Sequence, residues 1–326
     1  MKNLNKRNSS SNKKALVFGT MLGAAINKSD VSSLYNNAAS QIEAIHAFND
    51  FFNPDFLFTS MDLSVEAECF GSTVIFSELD APNIENRLVL DINQIKRLTL
   101  PDVGDKRSGL YLDVAKKIAS LKTSKPVFGV ITGPFTLAGR LFGVTEMFQL
   151  VIEDELAAKE LVEKCHQFLI MYSEAFKDAG CDGIVVAEPL AGLLSPKALN
   201  NFSSAYIKTL VQELTSQKFH FIYHNCGARS AHLDAILNIE ASIFHFGTPM
   251  DIIAALNKSN GQYIISGNLD PSSIFHAEKV DTVIKATSDL ISQSQGFNNF
   301  VIAPGCELPI TTPLINVSTF YSVLRP

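Results

Sequence analysis

The sequence predicts an α/β fold, a single (β/α)₈ TIM barrel that follows an N-terminal tail. Eight short apolar runs, rich in Val, Ile and Phe, have the length of strands that are buried on both faces. Segments with helical spacing lie between most of them, and alternating strands and helices imply a parallel sheet with right-handed crossovers. Eight such units close most simply into a barrel. The runs cover residues 15–19, 56–61, 126–132, 183–187, 219–223, 242–246, 263–267 and 300–304.

The segments between these runs support the same architecture. The longest predicted helix covers residues 153–180, and the run TVIF at 73–76 predicts an excursion or hairpin between the second and third strands. An open, doubly wound sheet is the alternative, but no G-x-G-x-x-G motif opens a helix after a strand to support it. In the long helix we expect one apolar face, and a glycine that ends it. These residues are Leu156, Leu161, Phe168, Tyr172, Phe176 and Gly180.

Composition excludes several classes of protein. The 326-residue chain is 46% hydrophobic and 18% charged, with a formal net charge of −6, which excludes a disordered chain, a collagen and a disulfide scaffold. The acidic balance, without a basic stripe, leaves no electrostatic footprint for nucleic acid. No apolar stretch approaches the ~18 residues of a membrane span. We therefore expect neither a nucleic-acid nor a membrane partner, and look for a small-molecule substrate or a protein partner.

The first fourteen residues differ from the rest of the chain. They carry five positive charges and no acid, a composition that predicts a disordered tail, and residues 15–326 are expected to form one domain. The apolar segment at 15–26 could complete an export signal, but it also fits a first core strand and turn. The five cysteines are odd in number and scattered, unlike an extracellular disulfide framework, so we expect reduced thiols and a cytoplasmic location.

Three residues at two predicted strand ends have the chemistry of a metal site. His224 and Cys226 follow the fifth strand in YHNCG, and Cys306 follows the eighth in APGCE. In an extended segment residues i and i+2 point the same way, so His-x-Cys can bind one ion from a single loop. In a barrel both strand ends open on the carboxyl-terminal face, where active sites of this architecture lie. One imidazole and two thiolates suit zinc, and three protein ligands leave the open position of a catalytic site.

The competing interpretation of these residues is plain packing, since most buried cysteines have no other role. The remaining cysteines and histidines lack such company, and we interpret them as packing, hydrogen-bonded or solvated residues. They are Cys69, Cys165, Cys181, His46, His166, His220, His232, His245 and His276.

Six motifs, in order along the chain, resemble the uroporphyrinogen decarboxylase superfamily, and most closely its methylcobamide:coenzyme M methyltransferase branch. Several short matches in the right order are more specific than any one of them, and together they span nearly the whole chain from about residue 15. They are MDLSVEAECFG (61–71), GVITGPFTLAG (129–139), GCDGIVVAEPLAGLLSP (180–196), YHNCG (223–227), SGNLDP (266–271) and APGCELPITTPLINV (303–317).

The resemblance implies a (β/α)₈ barrel, and its His-x-Cys…Cys zinc motif falls on His224, Cys226 and Cys306. It implies a zinc-dependent methyltransferase that moves a methyl group from a methylated corrinoid, or methylcobamide, to a thiol, most directly coenzyme M. Zinc converts the thiol to a thiolate, which attacks the methyl carbon on cobalt. The corrinoid is expected to arrive on a small carrier protein that docks transiently at the mouth of the barrel.

Other functions stay open. The decarboxylase branch uses no metal and holds the carboxylates of its substrate with an arginine-bearing N-terminal motif, whereas here only Arg7, in the tail, precedes Arg87. This difference disfavours porphyrinogen decarboxylation. A zinc thiol methyltransferase with another acceptor, such as homocysteine, is a further alternative. A metal- or corrinoid-binding protein that retains the barrel without catalysis is the alternative from a different class.

Four acidic residues near predicted strand ends are candidates for supporting roles. Glu188 is a candidate fourth ligand that the thiol displaces, or an acceptor for its proton. Asp62 is a second catalytic candidate, which could orient the ligands, and Asp270 is a candidate for substrate binding at the mouth. Glu307 lies beside Cys306 in the sequence, where it can support the ligands. Each of these acids has capping of a helix or loop as an alternative role.

Two arginines are candidates for substrate binding. Arg140 and Arg229 lie on predicted loops at the same face, where a guanidinium can pair with an anionic group such as a sulfonate. A surface salt bridge is the alternative role for each.

Overall fold

Nine strands build the sheets of the computed structural model, which describes residues 13–121, 123–214 and 219–325. Seven of them form one parallel sheet, and the other two, the second and third along the chain, form an antiparallel hairpin. Seven of the eight predicted runs are thereby confirmed as strands of the sheet, and the run at 73–76 belongs to the hairpin. The strands are β1 (Leu57–Phe58), β2 (Val74–Ile75), β3 (Asn83–Ile84), β4 (Val127–Thr132), β5 (Gly183–Ala187), β6 (His220–Asn225), β7 (Ile243–Phe246), β8 (Ile264–Leu269) and β9 (Phe300–Pro304).

The first predicted run occupies the eighth position, beside β9. Ala15 pairs with Ile302 in a single parallel bridge, and the Leu16 N–H donates to the Ile302 carbonyl at 3.0 Å. On the other side the Ala15 N–H donates to the carboxylate of Asp55 at 2.9 Å instead of to β1. Because of this diversion no ladder joins residues 15–19 to β1 in the described chain. The structure thus has the predicted barrel-like α/β architecture, but the barrel is not fully closed.

The interior of the barrel is apolar. Every strand of the parallel sheet contributes side chains to one buried cluster, and so do the 15–19 segment and the residues next to β1. Side chains alternate between the two faces along each strand, so those on the inner face meet there. Aromatic rings fill the seam between the first segment and β1, where the rings of Phe18 and Phe58 meet edge to face at 4.8 Å. The cluster contains Leu16, Phe18, Phe56, Phe58, Met61, Phe128, Val130, Val185, Ile222, Ile243, Ile264, Val301 and Ala303.

Helices connect the strands, and their apolar faces pack in a second, larger core with the remaining strand side chains. The described helices are α1 (Thr20–Asn27), α2 (Val31–Asn36), α3 (Ala38–Phe52), α4 (Val65–Phe70), α5 (Ile92–Arg97), α6 (Arg107–Ala119), α7 (Pro134–Phe142), α8 (Val144–Glu153), α9 (Glu155–Asp178), α10 (Pro196–Leu199), α11 (Ala205–Leu214), α12 (Leu233–Leu237), α13 (Ile252–Ser259), α14 (Val280–Gln293) and α15 (Leu314–Leu324).

Helix α9 is the long helix that the sequence predicts at 153–180. Its expected apolar face is buried from Leu161 to Phe176, and Gly180 follows the end of the helix with a φ of 94°. Leu156 does not belong to that face and is 80% exposed. At about 100° per residue it lies roughly 140° around the helix from Leu161, so its inclusion in the buried face was wrong.

The segment between β1 and β4 and the helices after β4 pack against one another. The Leu88 and Val89 N–H groups both donate to the Leu141 carbonyl of α7 at 3.0 Å, and Arg87 forms an ion pair with Glu146 of α8 at 2.7 Å. Helix α7 begins directly after β4 and therefore lies at the carboxyl ends of the strands. These contacts hold the hairpin segment beside that end of the barrel.

In the described part of the chain no single helix combines the length and apolarity of a membrane span, although α7 and α8, which meet at 107°, reach that length and composition together. Of the predicted tail, residues 1–12 lie outside the described residues. Lys13 and Lys14 already contact the barrel, because the Lys13 N–H donates to Leu324 and the Lys14 carbonyl accepts from Ile302. The assignment of residues 15–326 to one domain stays a prediction.

A glycine in β5 marks the tightest packing between strands. A methyl group at Gly183 would lie 2.1 Å from the backbone oxygen of His220 and 2.6 Å from the ring of Phe128. We expect Gly183→Ala to lower the free energy of unfolding by about 1–3 kcal/mol, because overpacking displaces backbone and rings. Urea unfolding measures this change. Gly227→Ala is the control, since its new methyl group would meet nothing closer than 3.7 Å; equal midpoints for the two variants would contradict the prediction.

Candidate metal centre

The three predicted metal ligands meet at the carboxyl ends of β6 and β9. Their ligand atoms all lie within 4.8 Å of one another, and the Sγ of Cys306 is 3.8 Å from Nε2 of His224. His224 is buried in β6, whereas Cys226 and Cys306 lie just beyond their strands and are partly exposed. Cys226 and Cys306 are 80 positions apart in the sequence, and the fold brings them together with His224, as the sequence predicts.

Two glycines allow this approach of the loops. A methyl group on Gly247, directly after β7, would lie 2.2 Å from the backbone oxygen of Cys226. A methyl group on Gly305, directly after β9, would lie 3.0 Å from the Cα of Gly247. The loops after β6, β7 and β9 thus touch through backbone atoms, and this contact brings Cys306 to Cys226.

The two sulfur atoms lie within 4.8 Å of each other, so the ionisation of one thiol affects that of the other. Hydrogen bonds from the Cys306 thiol and from His224 lower the pKa of Cys226 well below its usual range, and the same contact raises the pKa of Cys306. The pair therefore holds one thiolate readily, and a thiolate is the form that binds metal.

The donor set fits zinc on chemical grounds. Zinc holds imidazole nitrogen and thiolate sulfur at about 2.0–2.3 Å, which places neighbouring ligand atoms roughly 3.5–3.8 Å apart. The spacing of 3.8 Å between Cys306 and His224 agrees with that value, and the group needs only a small contraction elsewhere. Among the described residues no fourth His, Cys, Asp or Glu joins the group, so the arrangement has three protein donors. These three residues could hold a zinc ion and leave one position open.

The other nitrogen of His224 faces a second histidine. Nδ1 of His224 lies 2.7 Å from Nδ1 of His245, which occupies the paired position on β7. His245 is fully buried, and burial together with the neighbouring imidazole lowers its pKa. The sequence analysis treated His245 as one of six ordinary histidines and missed its contact with a ligand. The signal was available, since both residues lie near the ends of predicted neighbouring strands.

The residue between the two ligands in the sequence fixes their loop. The side-chain amide of Asn225 donates to the Glu188 carbonyl at 2.8 Å and to the Tyr223 hydroxyl at 3.1 Å. Its oxygen accepts from the Gly227 N–H at 3.1 Å. Because Asn225 is fully buried, these bonds hold the backbone on both sides of Cys226.

Glu188 follows β5, and its carboxylate contacts the first turn of α7 rather than the metal ligands. Its carboxylate accepts from the backbone N–H and the hydroxyl of Thr136, at 2.7 and 2.6 Å, and from the Phe135 N–H at 3.3 Å. Burial raises its pKa to about 7. Gly133 is required beside it, since a methyl group there would fall 1.8 Å from Oε2 of Glu188. The carboxylate caps a helix, and its expected catalytic role stays a prediction.

Asp62 is buried in an ion pair that the sequence analysis did not foresee. Its carboxylate accepts from Arg107 of α6, from the Ser64 hydroxyl at 2.6 Å and from the Tyr111 hydroxyl at 3.1 Å. Arg107 also pairs with Glu68 at 2.7 Å. The charge of Asp62 is therefore compensated within the protein. Arg107 lies in a region without a strand signal, so its sequence position gave no indication of this contact.

A carboxyl and a guanidinium without a charged partner flank this pair. The Oε1 atom of Glu307 is buried without a hydrogen-bond partner in the described chain, and burial, reinforced by the charge of Asp62, raises its pKa to about 8. Arg140 lies within α7 rather than on the predicted loop. Its side chain is partly exposed, donates to the Asn83 side chain, and forms no ion pair with a described acid. Burial lowers the pKa of Arg140, and the charge of Asp62 opposes this shift.

The last two predicted site residues lie apart from the ligands. Asp270, after β8, accepts from the Ser272 and Ser273 N–H groups at 2.8 and 3.4 Å and so caps its own loop. The Arg229 side chain is exposed, and its backbone N–H donates to His232. Neither belongs to the three-ligand group, and their roles in substrate binding stay predictions.

Comparison with known proteins agrees with this arrangement. The family profile described as uroporphyrinogen decarboxylase (URO-D) matches residues 19–325. The methylcobamide:CoM methyltransferase MtbA of Methanosarcina acetivorans is 26% identical over 261 residues, which cover 78% of this chain and 75% of the relative. A uroporphyrinogen decarboxylase of Idiomarina loihiensis is 26% identical over 226 residues, which cover 66% of this chain and 62% of the relative.

The fold also has a close structural counterpart. A solved structure described as a methyltransferase from Methanosarcina mazei superposes with a TM-score of 0.88 at 17% sequence identity. The match covers 98% of this chain and 95% of that one. The overall fold is therefore shared with a solved protein over nearly the whole chain.

A further buried carboxyl near the site predicts how stability depends on pH. Glu66 of α4 accepts from the Thr132 N–H at 2.8 Å, and burial raises its pKa from about 4.5 to about 7. The folded protein therefore keeps a proton that the unfolded chain releases, and this contribution to stability disappears as the pH rises from about 4.5 to 7. We expect Glu66→Gln to reduce the loss of unfolding free energy between pH 5 and 8 by about 2 kcal/mol.

Urea unfolding of the metal-free protein at several pH values measures this slope. Glu43→Gln, at an exposed position of α3, is the matched control and should keep the slope of the original protein. An unchanged slope in Glu66→Gln would show that this carboxyl does not bind the extra proton.

Proposed function

The chain belongs to the uroporphyrinogen decarboxylase (URO-D) family, and from this premise we propose that it is a zinc-dependent enzyme that transfers a methyl group from a methylated corrinoid to a thiol. The observation that carries the proposal is the convergence of His224, Cys226 and Cys306, whose ligand atoms lie within 4.8 Å of one another. The relative named methylcobamide:CoM methyltransferase, which aligns with three quarters of its length, supports the same reaction class.

In this proposal the three residues bind zinc through Nε2 of His224 and the two sulfur atoms. When bound, zinc supplies a positive charge and an open position that favour the deprotonated form of an incoming thiol. The protein contributes position: Asn225 holds the loop of Cys226, and the backbone contact of Gly247 with Gly305 holds Cys306. The corrinoid carries the methyl group and the cobalt chemistry.

The acceptor is proposed to be a thiol with an anionic group, of which coenzyme M is an example. Arg140 supports this choice because its side chain is partly exposed and forms no ion pair with a described acid. Its guanidinium is therefore available to a ligand, and a sulfonate or carboxylate would pair with it through a charge-assisted hydrogen bond. Arg107 cannot serve in the same way, since Asp62 and Glu68 already neutralise it. A thiol such as homocysteine, which also carries an ammonium group, is the alternative acceptor.

Porphyrinogen decarboxylation is the second candidate function, and the decarboxylase relative of Idiomarina loihiensis favours it. That reaction needs cations for several substrate carboxylates. Here Arg107 is paired with two acids, and the buried carboxyl of Glu307 lies beside Cys306. The site therefore offers fewer free cations than a polycarboxylate requires, which ranks this candidate below methyl transfer.

A protein-bound corrinoid must reach the carboxyl-terminal face of the barrel, so we propose a corrinoid carrier protein as a transient partner. We further propose a cytoplasmic location. The five cysteines are free thiols, which is the state maintained in a reducing compartment.

Metal analysis tests the proposed ligands. We expect about one zinc ion per purified chain, and loss of both zinc and methyl transfer in Cys226→Ala and in Cys306→Ala, because each removes a thiolate donor. Cys181→Ala, a buried cysteine outside the ligand group, is the control and should keep its zinc. Retention of zinc by the Cys226→Ala, Cys306→Ala double variant would refute the site.

Turnover of free methylcobalamin with a panel of thiols tests the reaction and the acceptor together. We expect Arg140→Gln to raise the KM for 2-mercaptoethanesulfonate by about 10- to 100-fold, the loss of one charged hydrogen bond. The KM for the neutral 2-mercaptoethanol should change little. Arg97→Gln, at an exposed position of α5, is the matched control.

Three outcomes would redirect the proposal. Equal effects of Arg140→Gln on both thiols would exclude an anion contact at this residue. Tight zinc binding without any thiol methylation would favour a binding protein. Formation of coproporphyrinogen from uroporphyrinogen by metal-free enzyme would favour the decarboxylase.

A further inference from the structure

The contact between His224 and His245 constrains where protons lie at the metal centre. The two Nδ1 atoms are 2.7 Å apart, a distance at which two neutral imidazoles share one proton in a hydrogen bond. One ring must therefore donate and the other accept. The two possible arrangements leave different nitrogens of His224 free.

Only one arrangement is compatible with a ligand role. If His245 donates, His224 accepts at Nδ1 and, as a neutral ring, carries its own proton on Nε2, the atom that faces Cys306 at 3.8 Å. That proton would occupy the lone pair a metal needs. If His224 donates from Nδ1, its Nε2 lone pair is free and points at the two sulfur atoms.

We propose that His245 is a positioning residue that accepts a hydrogen bond from the Nδ1–H of His224 and so keeps Nε2 of His224 available for the metal. This inference rests on the metal site of the proposed function. The second ring nitrogen of a histidine ligand usually carries a proton, and this N–H donates a hydrogen bond to a carboxylate, a carbonyl or water. The bond fixes the tautomer and the ring orientation. Here the imidazole of His245, on the neighbouring strand β7, would be the acceptor of that hydrogen bond.

The surroundings of His245 suit an acceptor at Nδ1. The ring is fully buried, where an unpaired imidazolium would be costly, and a neutral ring that accepts at Nδ1 carries its own proton on Nε2. Nε2 of His245 has no hydrogen-bond partner among the described residues. The hydrogen bond between the two Nδ1 atoms is therefore the one polar contact that the described structure gives the His245 ring.

A phenylalanine from the first segment of the barrel holds both rings in place. Phe18 meets His224 edge to face at 5.6 Å and His245 at 5.2 Å between ring centroids. Because Phe18 is itself buried, water is excluded from this side of the pair. Neither imidazole can exchange its partner for solvent, so the choice of tautomer depends on the other histidine.

Zinc affinity, measured by competition with a chromophoric chelator, tests the proposal without reference to turnover. We expect His245→Leu, which removes the acceptor, to weaken zinc binding by about 10- to 100-fold. His245→Asn should restore the affinity to within a few-fold, because its amide oxygen occupies the place of Nδ1. His166→Leu is the matched control, since it also replaces a buried imidazole, but one in α9 that does not belong to the ligand group.

Nitrogen-15 NMR of the zinc-loaded original protein provides a readout that does not depend on any variant. We expect a proton on Nδ1 of His224, a proton on Nε2 of His245, and coupling across the hydrogen bond between the two Nδ1 atoms. A proton on Nδ1 of His245, or zinc bound at Nδ1 of His224, would overturn the proposal, even if the leucine variant failed to fold.

The binding results separate this proposal from the proposed function. Zinc affinity in His245→Leu equal to that of the original protein would overturn the role of His245 and leave the metal site intact. Equal weakening in the leucine and asparagine variants would also overturn it, because an acceptor would then be irrelevant. An original protein that binds no zinc would remove the metal site and this inference together.

Discussion

The candidate site depends on backbone contact among the loops that follow β6, β7 and β9. Gly247 lies against Cys226 at a distance that leaves no room for a side chain, and Gly305 lies against Gly247 with little room for one. These two contacts hold the loops that carry the two sulfur atoms against each other. The parallel pairing of β6 with β7 and of β8 with β9 fixes where each loop begins along the barrel axis. The donor atoms are thus placed by the frame of the barrel rather than by flexible side chains, which is the arrangement that favours a preorganised ligand set.

The charges around the mouth divide into compensated and uncompensated groups. Asp62, Arg107 and Glu68 form a buried network in which each charge has a partner. Such a network fixes local structure but offers nothing to a ligand. Glu307 and Arg140 differ, since neither forms an ion pair with a described residue. The proposed preference for an anionic thiol therefore rests on one guanidinium without an ion-pair partner in the described chain.

Much of the fold followed from the sequence, because buried parallel strands leave continuous apolar runs and glycine marks the end of a long helix. The position of Cys306 also followed, since strand ends of a barrel share one face. Relations that depend on tertiary contact did not follow. Arg107 and Asp62 are 45 positions apart in the sequence. A local sequence pattern does not predict an ion pair between residues that only the tertiary fold brings together. Leu156 was assigned to the buried face of α9 from its apolar character alone, without calculating its angular position around the helix.

The interpretation of Glu188 shows a different limit. Its place after a strand was correct, but the direction of its side chain depends on α7, whose first N–H groups attract a carboxylate. His245 was missed for a similar reason. A single histidine on a buried strand has no distinctive pattern, and its importance arises only from the register that places it beside His224.

The capping carboxylate has one more consequence. Glu188 accepts from the first turn of α7, and its own backbone N–H donates to the His224 carbonyl at 2.9 Å. The helix that carries Arg140 is thereby fastened to the strand that carries a metal ligand through one residue. A tilt of this helix would strain or break buried hydrogen bonds, so helix and strand behave as one rigid body. Under the proposed function, the separation of Arg140 from His224 would then vary little, and it would limit which lengths of acceptor molecule can reach both residues.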